Sequence, residues 1–179
     1  VGDFVLVNKF AYGIRLPAIN KLVSKEKEPK RGEVAVFVPP HTLCDSTPEE
    51  ARPELPSMSI RDSQIFLSRF LSLQEARCTT LGNKYIKRVI GIPGDRIEIK
   101  GYELFINGNK VKQELLDKSS EESFYLETID DIDHIVRILG ISEYEHFVWD
   151  VPLDKYLVIG DNRDNSLDSR DWGYFSKEN

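Results

Sequence analysis

Short stretches rich in β-branched and aromatic residues, each closed by turn-forming residues, recur along most of this chain and constrain its fold more than any other feature. They are DFVLVNKF (3–10), GEVAVFVPP (32–40), KYIKRVIGIPGD (84–95), DRIEIKGYELFINGNKVKQ (95–113), SFYLETI (123–129), DHIVRIL (133–139), HFVWDVP (146–152) and KYLVIGDN (155–162). Such stretches are typical of strands. The sequence therefore predicts a mostly β fold, built as a barrel or sandwich of short strands.

Three turns connect these predicted strands. Asn107 and Gly108 form the dipeptide that favours a two-residue hairpin turn, because both positions of that turn need a positive φ. Asp130 and Asp131 separate two stretches that we expect to pair with each other. The segment PLDK at 152–155 predicts a turn between the last two strands, which we also expect to pair.

The segment 41–82 interrupts the strand pattern with several prolines and then a helical pattern. Phe66, Phe70 and Leu73 recur at helical spacing, and Ser59 or Asp62 can cap the start of the helix. An apolar stripe of this kind is typical of a packing face. We therefore predict an amphipathic helix inside an insertion.

The overall composition excludes several classes of protein. The 179 residues carry a net charge of -6, which argues against nucleic-acid binding because phosphates attract clustered lysine and arginine. No apolar stretch approaches the roughly 20 residues of a membrane span. Cys44 and Cys78 are too few for a zinc site, and both a disulfide and two free thiols fit the sequence. We expect neither a metal nor a cofactor.

The polar segment GDNRDNSLDSRDWG at 160–173 resembles a calcium loop only superficially. A calcium loop of the helix–loop–helix kind has oxygen ligands at alternate positions and glycine at the sixth. Counting from Asn162, the sixth residue is Leu167, and counting from Asp164 it is Ser169. The registers therefore exclude this type of calcium site.

A lysine in the strand at 84–95 offers another use for the same polar segment. Strand alternation puts Tyr85, Lys87 and Val89 on one face, and an ammonium group buried on an apolar face has a lowered pKa. A neutral lysine can act as a general base for a serine hydroxyl. It then needs a polar partner that orients it, and both Ser166 and Ser169 are candidates.

Four blocks occur in a single order: GDFVLVNKFAYGIRLP (2–17), RGEVAVF (31–37), KYIKRVIGIPGD (84–95) and GDNRDNSLDSRDWG (160–173). Together they resemble bacterial type I signal peptidases, which are membrane-anchored serine proteases with a Ser–Lys dyad. The resemblance implies coiled antiparallel β-sheets with a second, smaller β domain. It divides the chain into a catalytic core (1–100 with 148–179, carrying the insertion 41–82) and a second domain (101–147).

The resemblance also implies roles for individual residues. The implied roles are general base for Lys87, orientation of that lysine for Ser166, support of the site for Asp168, Arg170 and Gly160, and substrate binding for Tyr85 and Ile86. The implied substrates are secreted preproteins with small residues before the cut. The implied location is the bacterial cytoplasmic membrane, with the site on the extracytoplasmic face.

The chain departs from the family pattern at the nucleophile. The family's Ser-Met-x-Pro-Thr block should precede Gly2, so we expect a fragment that lacks its nucleophile and membrane anchor and is inactive alone. We also expect the strand after the last block to be missing. Ser57 is excluded as a substitute, because it follows the first two blocks, lacks the Pro-Thr and lies in the insertion.

Two other functions compete with this one. A non-catalytic homologue would bind extended peptides along the strand Tyr85–Lys87. A self-cleaving repressor would use a similar dyad, but the block at 160–173 and the chain length disfavour it.

Overall fold

The computed structural model describes residues 27–39, 57–61, 63–64, 66–68, 84–140 and 146–176. Contacts divide the chain into two compact units, Val1–Lys30 and Arg31–Asn179, and every strand named below lies in the second. The strand predicted at 3–10, both cysteines and the positions of Asp62, Phe70 and Leu73 lie outside the described residues.

Twelve strands are assigned within the described residues: β1 (Val34–Phe37), β2 (Ser57–Met58), β3 (Tyr85–Gly91), β4 (Arg96–Lys100), β5 (Glu103–Ile106), β6 (Asn109–Lys110), β7 (Lys112–Lys118), β8 (Ser123–Ile129), β9 (Ile132–Ile138), β10 (His146–Asp150), β11 (Lys155–Ile159) and β12 (Phe175–Ser176). All pairings between them are antiparallel. The mostly β prediction is confirmed.

Among the residues that the structure describes, helical residues lie in two places. The first helical residue after β2 is Ile60, directly after Ser59, whose carbonyl accepts a hydrogen bond from the Ser63 amide at 2.9 Å. Phe66 on this helix is fully buried, as the predicted packing face requires. The second helix, Ser169–Trp172, is a single turn within the polar segment. Within the described residues, no helix is both long enough and apolar enough to span a membrane.

The first sheet has the strand order β1-β3-β11-β12 and carries the strand with Lys87 at its centre. One face of it packs on a cluster made by Ala35, Phe37, Val89, Tyr156, Val158, Trp172 and Phe175. Trp172 and Phe175 come from the end of the polar segment and from β12, so their burial holds that segment on the face that carries Val89.

The second sheet has the order β2-β10-β4-β5-β6 and packs on the larger core, which includes Ile90, Ile97, Leu104, Phe147, Trp149 and Leu157. The turn between β5 and β6 has φ values of 52° at Asn107 and 81° at Gly108. The predicted hairpin turn is therefore confirmed.

The third sheet has the order β7-β8-β9. Strands β8 and β9 pair as predicted, and Asp130 between them adopts a φ of 49°. Strand β7 is not predicted by the sequence pattern, because KQELLDK lacks a regular alternation and is mostly exposed. It forms by pairing with β8, with a register shift between Leu115 and Asp117.

The predicted pairing of the two strands at 146–152 and 155–162 is wrong. The turn at 152–155 does form, since the Lys155 amide donates to the Pro152 carbonyl at 3.1 Å. However, β10 lies between β2 and β4, and β11 lies between β3 and β12, so neither strand has a free edge for the other. The chain leaves the second sheet at Val151. The Val151 amide donates to the Asp95 carbonyl and its carbonyl accepts the Gly94 amide, so Val151 does not pair with β11. The division into a core and a second domain at 101–147 stays a prediction.

Candidate active site

The polar segment 160–173 follows β11 and closes on the short helix Ser169–Trp172. Asp168 caps that helix: its carboxylate accepts the Arg170 amide at 3.2 Å, and its own amide donates to the Asp171 carboxylate at 3.1 Å. This reciprocal arrangement satisfies backbone donors that the helix start leaves open. The cap therefore fixes the backbone beside Ser166.

Lys87 lies in the middle of β3, opposite Ala35 of β1, and its side chain is half-buried. Its Nζ donates a hydrogen bond to Ser166 Oγ at 2.7 Å. Of the two candidate partners, the structure brings only Ser166 to the lysine; Ser169 Oγ instead accepts the Val158 amide at 2.9 Å. The lysine thus points into the segment and away from bulk water.

The surroundings of Lys87 lower the pKa of its amine. Burial is the largest cause, because the charged form loses hydration. The carboxylates of Asp168, Asp171 and Asp161 oppose this, while the guanidinium of Arg170 adds to it. The net effect favours the neutral amine, which is the form able to accept a proton.

Gly160 lies against the Lys87–Ser166 pair so closely that only glycine fits. A Cβ at this position would fall 2.0 Å from Ser166 Oγ, 2.6 Å from Ser166 Cβ and 3.4 Å from Lys87 Nζ. The first two distances are far inside van der Waals contact. Any larger residue would therefore displace the serine from the lysine.

Asp168 and Arg170 form a buried ion pair at the base of the segment. Arg170 Nε and Nη2 donate to the two carboxylate oxygens at 2.9 and 2.8 Å, and Asp168 is 0% exposed. Burial alone would raise the pKa of Asp168, but the pairing with Arg170 and the amide of Gly160, 2.9 Å from Oδ2, bring it below its ordinary value. Asp168 thus links the backbone of Gly160 to that of the helix.

A second ion pair at this site is not predicted by the sequence. Arg88 Nε and Nη2 donate to the two oxygens of Asp161 at 2.9 and 2.7 Å, and its Nη1 donates to the Gly32 carbonyl at 2.6 Å. The available signal is that each of the two most specific blocks carries charged residues without an assigned role, Arg88 in one and Asp161 in the other among them. This pair connects the lysine strand to the start of the polar segment.

Tyr85 and Ile86 lie at the start of β3, opposite Phe37 and Val36 of β1. Burial, followed by the nearby carboxylate of Asp171, raises the pKa of Tyr85. Ile86 points the other way and is 46% exposed.

The register of β11 against β3 ends at Arg88. From Tyr85 to Lys87, the described strands therefore pair with β3 on the β1 side only.

The described residues include no cluster of three or more histidine, cysteine, aspartate or glutamate side chains able to hold a metal ion. The chemistry that this geometry itself offers is proton transfer. A lysine with a lowered pKa is held by a serine hydroxyl. That arrangement can accept a proton from a nucleophile brought to the amine.

The sequence model of the family "Signal peptidase, peptidase S26" matches residues 1–179. The chain belongs to this family. Signal peptidase I of Pseudomonas fluorescens is 36% identical over 180 residues, covering 96% of this chain and 50% of the relative. Signal peptidase I of Pseudomonas aeruginosa is 33% identical with the same coverage. The chain thus spans about half the length of these curated relatives.

Other members of the signal peptidase family match a smaller part of the chain. Signal peptidase I P of Bacillus subtilis subsp. natto is 42% identical over 96 residues, or 52% of this chain and 45% of the relative. Among solved structures, a signal peptidase I from Enterococcus faecalis V583 aligns with a TM-score of 0.40 and 22% identity, covering 85% of this chain and 92% of that one.

Proposed function

We propose that this chain carries the general-base half of a Ser–Lys endopeptidase that removes signal peptides from secreted preproteins. The observation that supports this most is the 2.7 Å hydrogen bond between Lys87 Nζ and Ser166 Oγ in a partly desolvated setting. Membership of the signal peptidase family agrees with it. No cofactor enters the proposed reaction.

In the proposed mechanism, Lys87 is the general base. Its neutral amine takes the proton of a serine hydroxyl as that oxygen attacks the scissile carbonyl, and it then gives the proton to the leaving amine. The resulting acyl-enzyme is hydrolysed by water that the same amine activates. The family resemblance implies that the nucleophilic serine lies in a Ser-Met-x-Pro-Thr block.

Ser166 orients the base in this mechanism. A hydroxyl partner fixes the direction of the amine without adding a charge, so it does not push the lysine back to its protonated form. Gly160 leaves the space for this contact, and the Asp168–Arg170 pair holds the segment that carries the serine. These three residues support the reaction without touching the scissile bond.

The substrate would bind along β3 at Tyr85 and Ile86. An extended peptide would add to this strand through backbone hydrogen bonds, and its alternate side chains would enter neighbouring pockets. The family resemblance implies small residues, typically alanine, at the first and third positions before the cut. The whole protein would be anchored in the bacterial cytoplasmic membrane with this site on the extracytoplasmic face.

A cleavage assay tests the proposal directly. The longer protein that includes the segment before Val1 is incubated with a synthetic signal peptide. The peptide carries alanine at the first and third positions before the expected cut, and the products are identified by mass spectrometry. We expect one cut after the first of these positions, and no cut in a matched peptide with phenylalanine at both. Tight binding without cleavage would contradict the proposal and favour the non-catalytic peptide binder.

A further inference from the structure

A second buried polar cluster lies on the third sheet, outside the site described above. Its centre is Glu127 of β8, which is 0% exposed and lies opposite Gln113 of β7 and His134 of β9. Gln113 Nε2 donates to its Oε2 at 2.7 Å, and His134 Nε2 lies 3.1 Å from its Oε1. Arg163 of the polar segment donates from Nη2 to the same Oε1.

The Glu127 carboxylate is charged despite its burial. Burial would raise its pKa, but the hydrogen bond with His134 and the charge of Arg163 overcome this and lower the pKa to about 2. A buried carboxylate and a buried guanidinium are each costly to desolvate unless they are paired. The two charges therefore hold each other in place, one on the sheet and one on the polar segment.

The backbone of Arg163 connects the third sheet to the part of the polar segment that lies near Lys87. Its amide donates to the Arg137 carbonyl at 2.9 Å, and the Arg137 amide donates to the Asp161 carbonyl at 2.8 Å. The segment thus runs beside β9 like a short extra strand. The Arg163 carbonyl in turn accepts Nη2 of Arg170 at 2.6 Å, which is the same guanidinium that pairs with Asp168.

Asp164, the residue after Arg163, also bonds the polar segment to neighbouring elements. Asp164 Oδ1 accepts the hydroxyl of Tyr102 at 2.7 Å, and Oδ2 accepts the amides of Leu139 at 2.6 Å and Gly140 at 3.2 Å. Arg163 and Asp164 therefore hold the segment before Ser166 against the third sheet and against the turn between β4 and β5.

We propose that Glu127 is a positioning residue for the Lys87–Ser166 pair, acting through Arg163 on the polar segment 160–173. Its hydrogen bonds go to Gln113, His134 and Arg163, and not to Lys87. Its contribution is to fix the segment so that Ser166 stays within hydrogen-bond distance of Lys87 and water stays out. The kinetic consequence rests on the proposed function, whereas the consequence for Lys87 itself does not.

Two effects of removing the Glu127 charge have opposite signs. Loss of a negative charge anywhere in the molecule lowers the pKa of a lysine, because it removes a Coulomb attraction for the ammonium. Loosening of the segment moves the pKa of Lys87 back up toward its ordinary value, because the effect of burial outweighs that of the carboxylates which the same segment carries. The direction of change therefore separates a positioning role from a simple field effect.

The test compares Glu127→Gln with Glu98→Gln. Glu98 is the control, because its Oε1 also contacts a histidine of the neighbouring antiparallel strand, with His146 Nε2 at 2.6 Å, but it is partly exposed and belongs to the second sheet. The pKa of Lys87 is read in each variant of the chain by NMR titration with ¹³C-labelled lysine. The value of kcat/KM is then read against pH in the longer protein with a synthetic signal peptide.

We expect Glu127→Gln to raise the pKa of Lys87, to move the acidic limb of kcat/KM to higher pH, and to lower kcat/KM at neutral pH by about 10- to 100-fold. Glu98→Gln should change neither. An unchanged or lowered pKa of Lys87 in folded Glu127→Gln overturns the proposal. A raised pKa without any cleavage by the unsubstituted enzyme keeps the positioning role and rejects the peptidase.

A second variant covers the case in which Glu127→Gln does not fold. The double variant Glu127→Leu/Arg163→Met removes both buried charges, and such an exchange for apolar residues leaves no unpaired charge behind. It still breaks the link between the sheet and the segment. We expect the same rise in the pKa of Lys87, and its absence in this folded variant also overturns the proposal.

Discussion

Replacing Lys87 with methionine in the longer protein is expected to lower kcat/KM for a synthetic signal peptide by about 100- to 10,000-fold, the range that general-base catalysis contributes. Methionine has a similar length and prefers the buried setting, so the fold should survive. What is lost is the amine that lies within hydrogen-bond distance of Ser166. The measurement is steady-state cleavage, with circular dichroism to check folding.

Lys84→Met is the matched control for this result. Lys84 directly precedes β3 but is exposed, so the same chemical change there removes no buried amine. We expect cleavage close to that of the unsubstituted enzyme. If both variants keep the activity of the unsubstituted enzyme, Lys87 is not the base. If both lose activity to the same extent, the loss reflects a general effect of charge on the strand.

Asp168→Asn is expected to lower the free energy of unfolding by about 3–5 kcal/mol. The substitution keeps the shape of the side chain but leaves the buried guanidinium of Arg170 without its counter-charge. It also weakens the acceptor of the Gly160 amide beside the Lys87–Ser166 pair. Urea unfolding followed by tryptophan fluorescence measures the loss.

Asp150→Asn provides the comparison on the surface. Asp150 also pairs with an arginine, since Arg96 Nη1 lies 2.8 Å from its Oδ1, but its side chain is 72% exposed. Exposed pairs of this kind contribute about 0–1 kcal/mol. If the two substitutions destabilise the chain equally, burial is not what gives the Asp168–Arg170 pair its importance.

The central contact of the site could be predicted because its two ends lie in the most distinctive blocks of the sequence. Lys87 on an apolar strand face needs a neutral polar partner, and Ser166 was one of two candidates. The structure places their polar atoms 2.7 Å apart. The catalytic roles of both residues stay predictions that the experiments above address.

The supporting contacts could not be predicted, because they join segments that are distant in sequence. Arg88 and Asp161 are 73 residues apart, and Glu127 and Arg163 are 36 apart. A charged residue in a strand usually faces water, and nothing local marks these as buried.

Contacts between segments that are distant in sequence also explain why the predicted pairing of β10 with β11 is wrong. Their separation by a short turn suggests a hairpin, but the choice of partner depends on which edges β2, β4, β3 and β12 already occupy. Strand existence follows from local composition, whereas strand order follows from the packing of the whole molecule.

The most direct test of the central claim is the titration of Lys87 by NMR in the chain with ¹³C-labelled lysine, its signal assigned by its loss in Lys87→Met. If Lys87 is the buried base, its pKa lies below the ordinary lysine value of 10.5, and Ser166→Gly, which opens the site to water, moves it upward. A pKa at or above 10.5 that does not respond to Ser166→Gly would contradict the claim that burial beside Ser166 lowers the pKa of this lysine.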